Sequence, residues 1–186
     1  LSKHSIYLFS PKANDRHYSD LNILSSVKMV SPKSKNKLVG AYWRSFGQVK
    51  EIDKLELDVF RGLSNELPLS IKKSKVAKVV TIHDLFSWKS PKATTFTAKW
   101  RNKLLPYVAK KSKLVCTVSE FSKRDISSLL DVDLDKILVI PNGLSENFLT
   151  SLDNKKHCKS NEGYILHVGS IEPRKNIAFL LEVFLL

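Results

Sequence analysis

The chain has 186 residues, of which 42% are hydrophobic, so it can bury one good core or one domain and part of another. Its 31 Lys and Arg side chains outnumber 18 Asp and Glu side chains, and the net charge of +13 favours a polyanionic, anionic-surface or phosphorylated partner. No apolar run approaches the ~20 residues of a membrane-spanning helix, and no signal-peptide pattern is present. The two cysteines, Cys116 and Cys158, are too few for a disulfide framework and indicate reduced thiols in a cytosolic protein.

The first part of the sequence alternates short apolar runs with helix-like segments. Residues 6–9 and 57–60 are predicted strands, whereas residues 15–30 have mixed helical character and residues 42–53 are helix-like. Residues 31–37, with the sequence SPKSKNK, form a loop by composition. A turn-rich stretch, RGLSNELP, follows the second strand.

Residues 76–82 are an apolar run with the length and β-branching of a buried strand, and they end on His83 and Asp84. An imidazole and a carboxylate at the carboxyl end of a strand lie where open α/β sheets bind ligands. Histidine also titrates near neutral pH, as acid–base chemistry requires. The alternative is a polar strand end at which His83 caps a neighbouring backbone group.

Residues 92–113 have an apolar residue at every fourth position, in a helix that Pro106 is expected to kink or interrupt. The segment contains basic side chains and no acidic one, which together with a tryptophan is typical of helices that lie on a membrane surface. The alternative is a surface helix whose stripe packs on the sheet while its lysines face water. The stripe comprises Phe96, Trp100, Leu104 and Val108, and the membrane-surface candidates are Lys99, Trp100, Arg101, Lys103, Lys110 and Lys111.

A further helix is expected to begin beside the next strand. Ser122 is predicted as its N-cap, with Asp125 three positions later and with Phe121 and Ile126 placed as a hydrophobic staple.

Three further predicted strands complete the alternation of strands and helices, which predicts a parallel, doubly wound α/β sheet. They are residues 114–118, 137–140 and 164–168. The middle one ends in a Pro-Asn-Gly turn, and the polar run 150–162 is a predicted linker. The sequence contains no internal repeat, zinc-like Cys/His spacing, GxSxG motif or P-loop.

Residues 169–176 are a second candidate site, at a turn from a strand into a helix. Such a turn places free backbone N–H groups and the positive end of the helix dipole at its tip. Arg174 adds a fork for bidentate phosphate contact, Lys175 adds a point charge, and Gly169 permits close approach of a ligand. These features favour an anion site; the alternative is a solvated basic cap.

Three stretches taken together resemble the family 4 glycosyltransferases of the GT-B fold. They are TIHDLFSWKSP, then VCTVSEFSKRDI with DKILVIPNG, then YILHVGSIEPRKNIAFLLEVF, in the order of the family's HD, SxFSK, IPNG and GxxxxRKN motifs. The earlier WRSFG and LDVFRGLSNELP are also similar, although members often have a histidine in place of Arg61. The resemblance covers residues 40–186. It implies a Rossmann-like acceptor domain over residues 1–149, a linker over 150–162, and the start of a second Rossmann-like, donor-binding domain over 163–186.

The resemblance implies a retaining transfer of a sugar from a nucleotide sugar to a glycan or lipid-linked acceptor in cell-surface polysaccharide biosynthesis. No metal or other cofactor and no nucleic-acid partner is expected, and the location would be the cytoplasm or the inner face of the plasma membrane. His83, followed by Asp84, matches the family histidine that lines the cleft between the two domains beside the donor sugar and is implicated in catalysis, so the resemblance implies His83 and Asp84 as the catalytic residues. The residues matching the donor-diphosphate site are Gly169, Arg174 and Lys175, and the candidates on the acceptor side of the cleft are Ser119, Asn142 and Gly143.

Two family features have no counterpart here: a first strand with its Gly-rich loop, and a late Glu-x7-Glu motif. The sequence starts at Leu1 without Met and stops at Leu186 within an apolar helical run, which predicts an inactive fragment. Two alternatives stay open. One is a non-catalytic truncated domain, and the other is a basic nucleic-acid-binding domain, which has the charge but no recognised motif.

Overall fold

The computed structural model describes residues 4–11, 27–89, 96–144, 148–150 and 165–185, without the side chains of residues 96–98, 100, 101 and 174. Cys158, most of the predicted linker and residues 15–26 of the helix-like segment lie outside the described part. The chain divides into two compact units, Leu1–Gly143 and Leu144–Leu186.

The strands of the first unit are parallel throughout the described residues, which confirms the predicted α/β class with a Rossmann-like sheet. Strand β1 (Ile6–Phe9) pairs with β2 (Val27–Val30). A second sheet has the order β3-β4-β5-β6 and consists of β3 (Val59–Gly62), β4 (Ala77–Thr81), β5 (Leu114–Thr117) and β6 (Ile137–Val139).

Helical segments connect these strands. The helices are α1 (Lys37–Tyr42), α2 (Gln48–Lys54), α3 (Phe86–Lys89), α4 (Phe96–Lys111), α5 (Glu120–Leu130) and, in the second unit, α6 (Ile177–Phe184). A π-helical turn, Trp43–Gly47, joins α1 to α2, so the helix-like segment predicted over residues 42–53 is confirmed. Because parallel crossovers are right-handed, α4 and α5 lie on one face of the sheet, where they contact each other.

The core of the first unit lies between the four-stranded sheet and its helices. Val80 of β4 and Val115 of β5 have no exposed surface, and Ile126 of α5 is equally buried. Leu130 follows Ile126 by one helical turn and is 1% exposed, because α5 directs one face at the sheet. Burying each such side chain contributes about 1.5–3 kcal/mol.

Strand β1 is attached to this core through Phe9. Its ring packs edge-on against Phe60 of β3 with centroids 5.6 Å apart, and stacks on Trp43 at 6.1 Å. Gly47 makes room for Trp43, since a Cβ at Gly47 would lie 2.7 Å from the indole Cδ1. The two sheets are thereby joined by aromatic contacts.

Strands β1 and β3 also line one cavity of about 700 Å³. Each pairs on a single edge with a described strand. In a doubly wound sheet of order 3-2-1-4-5-6, the position between them belongs to the first strand. The expectation that the family's first strand is missing stays a prediction.

Three predictions about local structure are wrong. Residues 27–30 are strand β2, because pairing with β1 outweighs their mixed local pattern. The expected interruption at Pro106 is wrong, because α4 continues through it with Leu105 and Val108 buried on either side, and this packing offsets a proline cost of about 3 kcal/mol; a kink there stays a prediction. Residues 165–168 form no strand and expose their apolar side chains, because a strand requires a neighbouring strand.

The predicted start of α5 is also wrong. The N-cap is Ser119, whose hydroxyl accepts a hydrogen bond from the Ser122 N–H at 3.2 Å, so the helix begins at Glu120. Phe121 is 69% exposed while Ile126 is buried, so the two residues do not form the expected staple. The other predicted strands are confirmed, with small shifts in their bounds. The largest shift is that of β3, which was predicted over residues 57–60 and spans Val59–Gly62.

Two residues of α5 provide a matched test of the core. Ile126→Ala is expected to lower the free energy of unfolding by ~2–5 kcal/mol, because it opens a cavity under the sheet. Leu129→Ala, at a position 40% exposed on the same helix, is the control and should change it far less. Urea unfolding measures both, and equal losses would contradict the assigned orientation of α5.

Candidate active site

The loops that follow β3, β4, β5 and β6 leave the sheet at one edge, because parallel strands share a direction. Asn65, His83, Ser119 and Asn142 lie in these loops, one after each strand. The carboxyl edge of a parallel sheet is where α/β proteins bind their ligands. The structure therefore places polar side chains from four separate segments at a single edge.

His83 is exposed and is separated from the end of β4 by Ile82 alone. Its Nε2 lies 3.1 Å from the carbonyl oxygen of Leu63, in the loop after β3. Since a carbonyl oxygen can only accept, Nε2 is the nitrogen that bears hydrogen, and in the neutral ring Nδ1 is then an acceptor. The contact is of the kind expected from a capping histidine, but it engages only one ring nitrogen.

Asp84 has a structural contact of its own. Its Oδ1 accepts a hydrogen bond from the Phe86 N–H at 2.9 Å and thus caps the start of α3. The other end of α3 is held to α5 by Lys89, whose Nζ lies 2.7 Å from Asp125 Oδ2 and 5.2 Å from the centre of the Phe121 ring. The backbone that follows His83 is fixed by these contacts.

Ser122 links His83 to α5, a role that the sequence did not reveal. Its hydroxyl donates to the carbonyl oxygen of His83 at 3.0 Å. The hydroxyl of Ser119, the predicted acceptor-side residue, donates in turn to Ser122 Oγ at 3.2 Å. The two serines, three positions apart before an apolar helix face, were recognisable as capping residues but not as a connection to another strand end.

Asn142 and Gly143 are exposed beyond β6. A Cβ built on Gly143 would meet nothing within 4 Å, so the turn borders open space on this side. The structure brings Ser119 into the hydrogen-bonded group around His83, whereas Asn142 and Gly143 share only the edge of the sheet with it.

Two buried oxygens at the same edge lack a hydrogen-bond partner among the described residues. They are Asn65 Oδ1 and Thr117 Oγ1. Asn65 adopts a left-handed conformation with φ of 55° and donates its N–H to the Thr81 carbonyl at 2.9 Å. Unsatisfied buried oxygens are uncommon and call for an explanation such as a ligand or a water. The Asn within the turn-rich RGLSNELP loop was the available sequence signal.

The second candidate site lies in the second unit. Gly169 has φ of +148°, and a 3-10 turn, Pro173–Lys175, is followed by Asn176 in a left-handed conformation and then by α6. Lys175 is exposed, and the Arg174 side chain lies outside the description. The loop also contains a carboxylate, since Ser170 Oγ donates to Glu172 Oε1 at 2.6 Å.

Helix α4 exposes lysines, while the described part of its apolar stripe is buried or half-buried. Val108 is 7% exposed and packs in the core, and Leu104 is half-buried, as expected for a helix that packs on the sheet. Lys99, Lys103 and Lys111 are exposed. Phe96 and the Trp100 and Arg101 side chains of this candidate surface lie outside the description.

Lys110 is paired with an acid from the next helix. Its Nζ lies 2.6 Å from Oδ2 of Asp131, the C-cap of α5. The hydrogen bond from Lys110, followed by its positive charge, lowers the pKa of Asp131 from the usual value of 3.8. Counting charges within residues 92–113 alone missed this partner.

The described residues contain neither a membrane-spanning helix nor a cluster of metal ligands. None of the helices they form is both long and apolar enough to cross a bilayer. Within the same residues, no three His, Cys, Asp or Glu side chains come together in a way that could hold a metal ion.

The chain is similar to a known protein family and to a curated protein. Residues 2–148 match the model of the family described as Glycosyltransferase Family 4. The O-antigen chain mannosyltransferase B of Escherichia coli is 27% identical over 133 residues, which cover 68% of this chain and 34% of that protein. The chain therefore spans about a third of the length of this curated relative.

The Lys110–Asp131 pair yields a prediction about titration. In Lys110→Gln the pKa of Asp131 should rise toward 3.8, because the hydrogen bond and the charge are both lost. An NMR titration of the Asp131 carboxyl measures the shift, and Lys103→Gln on the same helix is the control. A depressed native pKa stabilises the fold above the unfolded pKa. The stability difference between the wild type and Lys110→Gln should therefore shrink as pH falls through the native pKa of Asp131.

Proposed function

Since this chain belongs to the family 4 glycosyltransferases, we propose that its first unit is the acceptor-binding part of a retaining enzyme. The reaction is transfer of a sugar from a nucleotide sugar to a hydroxyl group of a glycan or lipid-linked acceptor. The main structural support is the group at the carboxyl edge of the sheet, in which Leu63 and Ser122 hold His83 from two sides. A chain of this length would supply only part of the complete enzyme.

The proposed role of His83 follows from its hydrogen bonding. The contact from Nε2 to Leu63 fixes the ring and its tautomer, and leaves Nδ1 of the neutral ring as an acceptor for a sugar hydroxyl. The Ser122 bond restrains the backbone of the same residue. A catalytic or orienting group must be positioned by its surroundings, and this histidine is restrained at both its ring and its backbone.

Asp84 is proposed to position His83 and to take no part in the chemical step. Its Oδ1 accepts the Phe86 N–H, so it shapes the turn that presents His83. Asn65 is proposed to shape the loop that carries Leu63, because its N–H donates to the Thr81 carbonyl at 2.9 Å and its Oδ1 is buried.

The proposed donor site comprises Gly169, Arg174 and Lys175. When the bond between the anomeric carbon and the diphosphate breaks, negative charge develops on the leaving diphosphate. The charges of Arg174 and Lys175 would stabilise that charge, and the backbone at Gly169 permits close approach. Their charge is also the basis for proposing a reaction that needs no metal ion.

The biological setting is proposed as cell-surface polysaccharide synthesis on the cytoplasmic side of the membrane. Support comes from the similarity to a protein named for mannose transfer to the O-antigen chain. The charge of +13 suits diphosphate donors and acceptors carried on anionic lipids. A mannose donor is therefore the first substrate to test.

His83→Ala in the full-length enzyme is expected to reduce the transfer rate on the order of 10²–10³-fold while the fold is retained. Transfer of radiolabelled mannose to a lipid-linked acceptor measures the effect. Leu63→Ala is the matched control, because it removes an exposed side chain but keeps the carbonyl that holds the ring. Wild-type turnover in His83→Ala would assign the role to another residue.

The donor site is tested by two variants of the full-length enzyme. Arg174→Lys keeps the charge and loses the bidentate fork, so donor binding should weaken partly, and Arg174→Ala with Lys175→Ala should weaken it much further. Titration calorimetry with UDP and GDP measures the affinity. Lys136→Ala, a lysine of the first unit, is the control, and unchanged binding in the double variant would refute the diphosphate assignment.

A further inference from the structure

Arg61 lies near the carboxyl end of β3 and is anchored by a side chain of the neighbouring strand. In the register of the sheet it is the partner of Val79 of β4. Its Nε donates a hydrogen bond to Thr81 Oγ1 at 3.1 Å, and Thr81 is only 5% exposed. Arg61 itself is exposed. A buried hydroxyl therefore restrains the guanidinium of an arginine that faces solvent.

The outer part of this guanidinium is available to a ligand. The bond from Nε uses one of the five N–H donors of the group and leaves four on Nη1 and Nη2. Among the described residues, Arg61 has no ion pair and no hydrogen bond from these two nitrogens. Glu66, the acid of the loop after β3, is already paired with Arg44. The described surroundings of Arg61 therefore leave its charge without an acidic partner.

The two segments that hold Arg61 also hold His83. Leu63 follows Arg61 by two residues, and its carbonyl oxygen lies 3.1 Å from His83 Nε2. His83 in turn follows Thr81 by two residues. The two contacts are thus successive steps between the same neighbouring segments, roughly 7 Å apart at the rise of a β-strand. A ligand of sugar size that lies over this edge can reach both side chains.

The loop between Arg61 and His83 is held against the sheet. Asn65 donates its N–H to the Thr81 carbonyl at 2.9 Å, so Thr81 binds the loop through its backbone and Arg61 through its hydroxyl. A Cβ at Gly62 would collide with the Glu66 carbonyl oxygen, so the loop packs directly on the end of β3. A cation that is ordered before binding loses less entropy when a ligand arrives.

We propose that Arg61 binds an oxyanion of the acceptor, which is the carboxylate of an acidic sugar or the phosphate that links a sugar to its carrier. The planar guanidinium matches both groups, because its parallel N–H bonds can meet two oxygens at once. Arginine stands here where the resemblance leads us to expect histidine, so a permanent cation replaces a ring that is mostly neutral at pH 7. Calling the ligand an acceptor rests on the proposed function, whereas the anion site itself does not.

A solvated surface arginine is the alternative, and Arg124 of α5 is an example of one. Arg124 is exposed, and its Nε donates to the Glu120 carbonyl at 3.4 Å. That bond is longer than the bond from Arg61, and its acceptor belongs to the same helix, not to the strand that leads into His83. Arg124 therefore provides a matched control, because it has the same side chain and charge at another position.

The binding of three small probes to the full-length enzyme tests the site. Methyl mannoside is neutral, mannuronic acid has a carboxylate, and mannose 1-phosphate has a phosphate at the linkage position. Titration calorimetry measures them with Arg174→Ala and Lys175→Ala present, so that the proposed donor site does not contribute. At least one charged probe should bind on the order of 10–100-fold more tightly than the neutral probe. The charged probe that is preferred identifies the source of the oxyanion.

Variants of Arg61 and its anchor should change this preference in a graded way. Arg61→Gln should remove it, whereas Arg61→Lys should keep part of it, because the charge remains and the fork is lost. Thr81→Val removes the anchoring hydroxyl but leaves the arginine, so it should weaken binding of the charged probe partly. Arg124→Gln should leave the preference unchanged. The Tm of each variant shows whether it folds, and the Lys and Val variants provide the test if Arg61→Gln does not.

Several outcomes would overturn the proposal. Equal affinity for all three probes would do so, as would a preference that survives in Arg61→Gln or that Arg124→Gln removes equally. A lower Tm of Arg61→Gln with an unchanged preference would assign Arg61 to structural support alone. Probe binding does not require turnover, so an enzyme that transfers no sugar but binds a charged probe through Arg61 would refute only the proposed function. Sugar transfer by an enzyme without the preference would refute only the anion site.

Discussion

Pairing of β4 on both of its edges is the constraint on which the rest of the first unit depends. Its neighbours β3 and β5 run parallel to it, so the three strands end together and their loops leave side by side. Val80, Thr81 and Ile82 are all buried there, so the segment that leads into His83 lies within the core. His83 is therefore delivered to the edge where Leu63 and Ser122 meet it.

The short segments at that edge contain both the residues that cap helices and the histidine proposed for the active site. Asp84 caps α3, Ser119 caps α5, and Ser122 joins α5 to the backbone of His83. Each bond satisfies a backbone N–H or carbonyl group, and the Ser122 bond also restrains the histidine. The same group of polar side chains therefore caps two helices and holds the backbone of His83.

The basic side chains of the first unit have different surroundings. Lys89 and Lys110 form ion pairs with Asp125 and Asp131, and so connect α3 and α4 to α5. Lys33 and Lys35, before α1, instead lie in a stretch of sequence without acidic residues. Net charge alone indicates an anionic partner, but only the pairing pattern distinguishes cations that hold helices together from cations directed at a partner.

The sequence by itself determined the fold class and the positions of most strands, because buried parallel strands are short apolar runs that end in polar loops. It also placed His83 at the end of a strand, since that pattern is local. Tertiary structure alone decided that residues 27–30 are a strand, that Pro106 stays within α4, and that Leu38 and Tyr42 of α1 face outward while Val108 of α4 is buried. Both helices have apolar residues at helical spacing, and such a period shows that a helix has one apolar face but not whether another element covers it. The partners of His83 were likewise hidden, because Leu63 and Ser122 are 20 and 39 residues away in the sequence and meet it only through strand pairing.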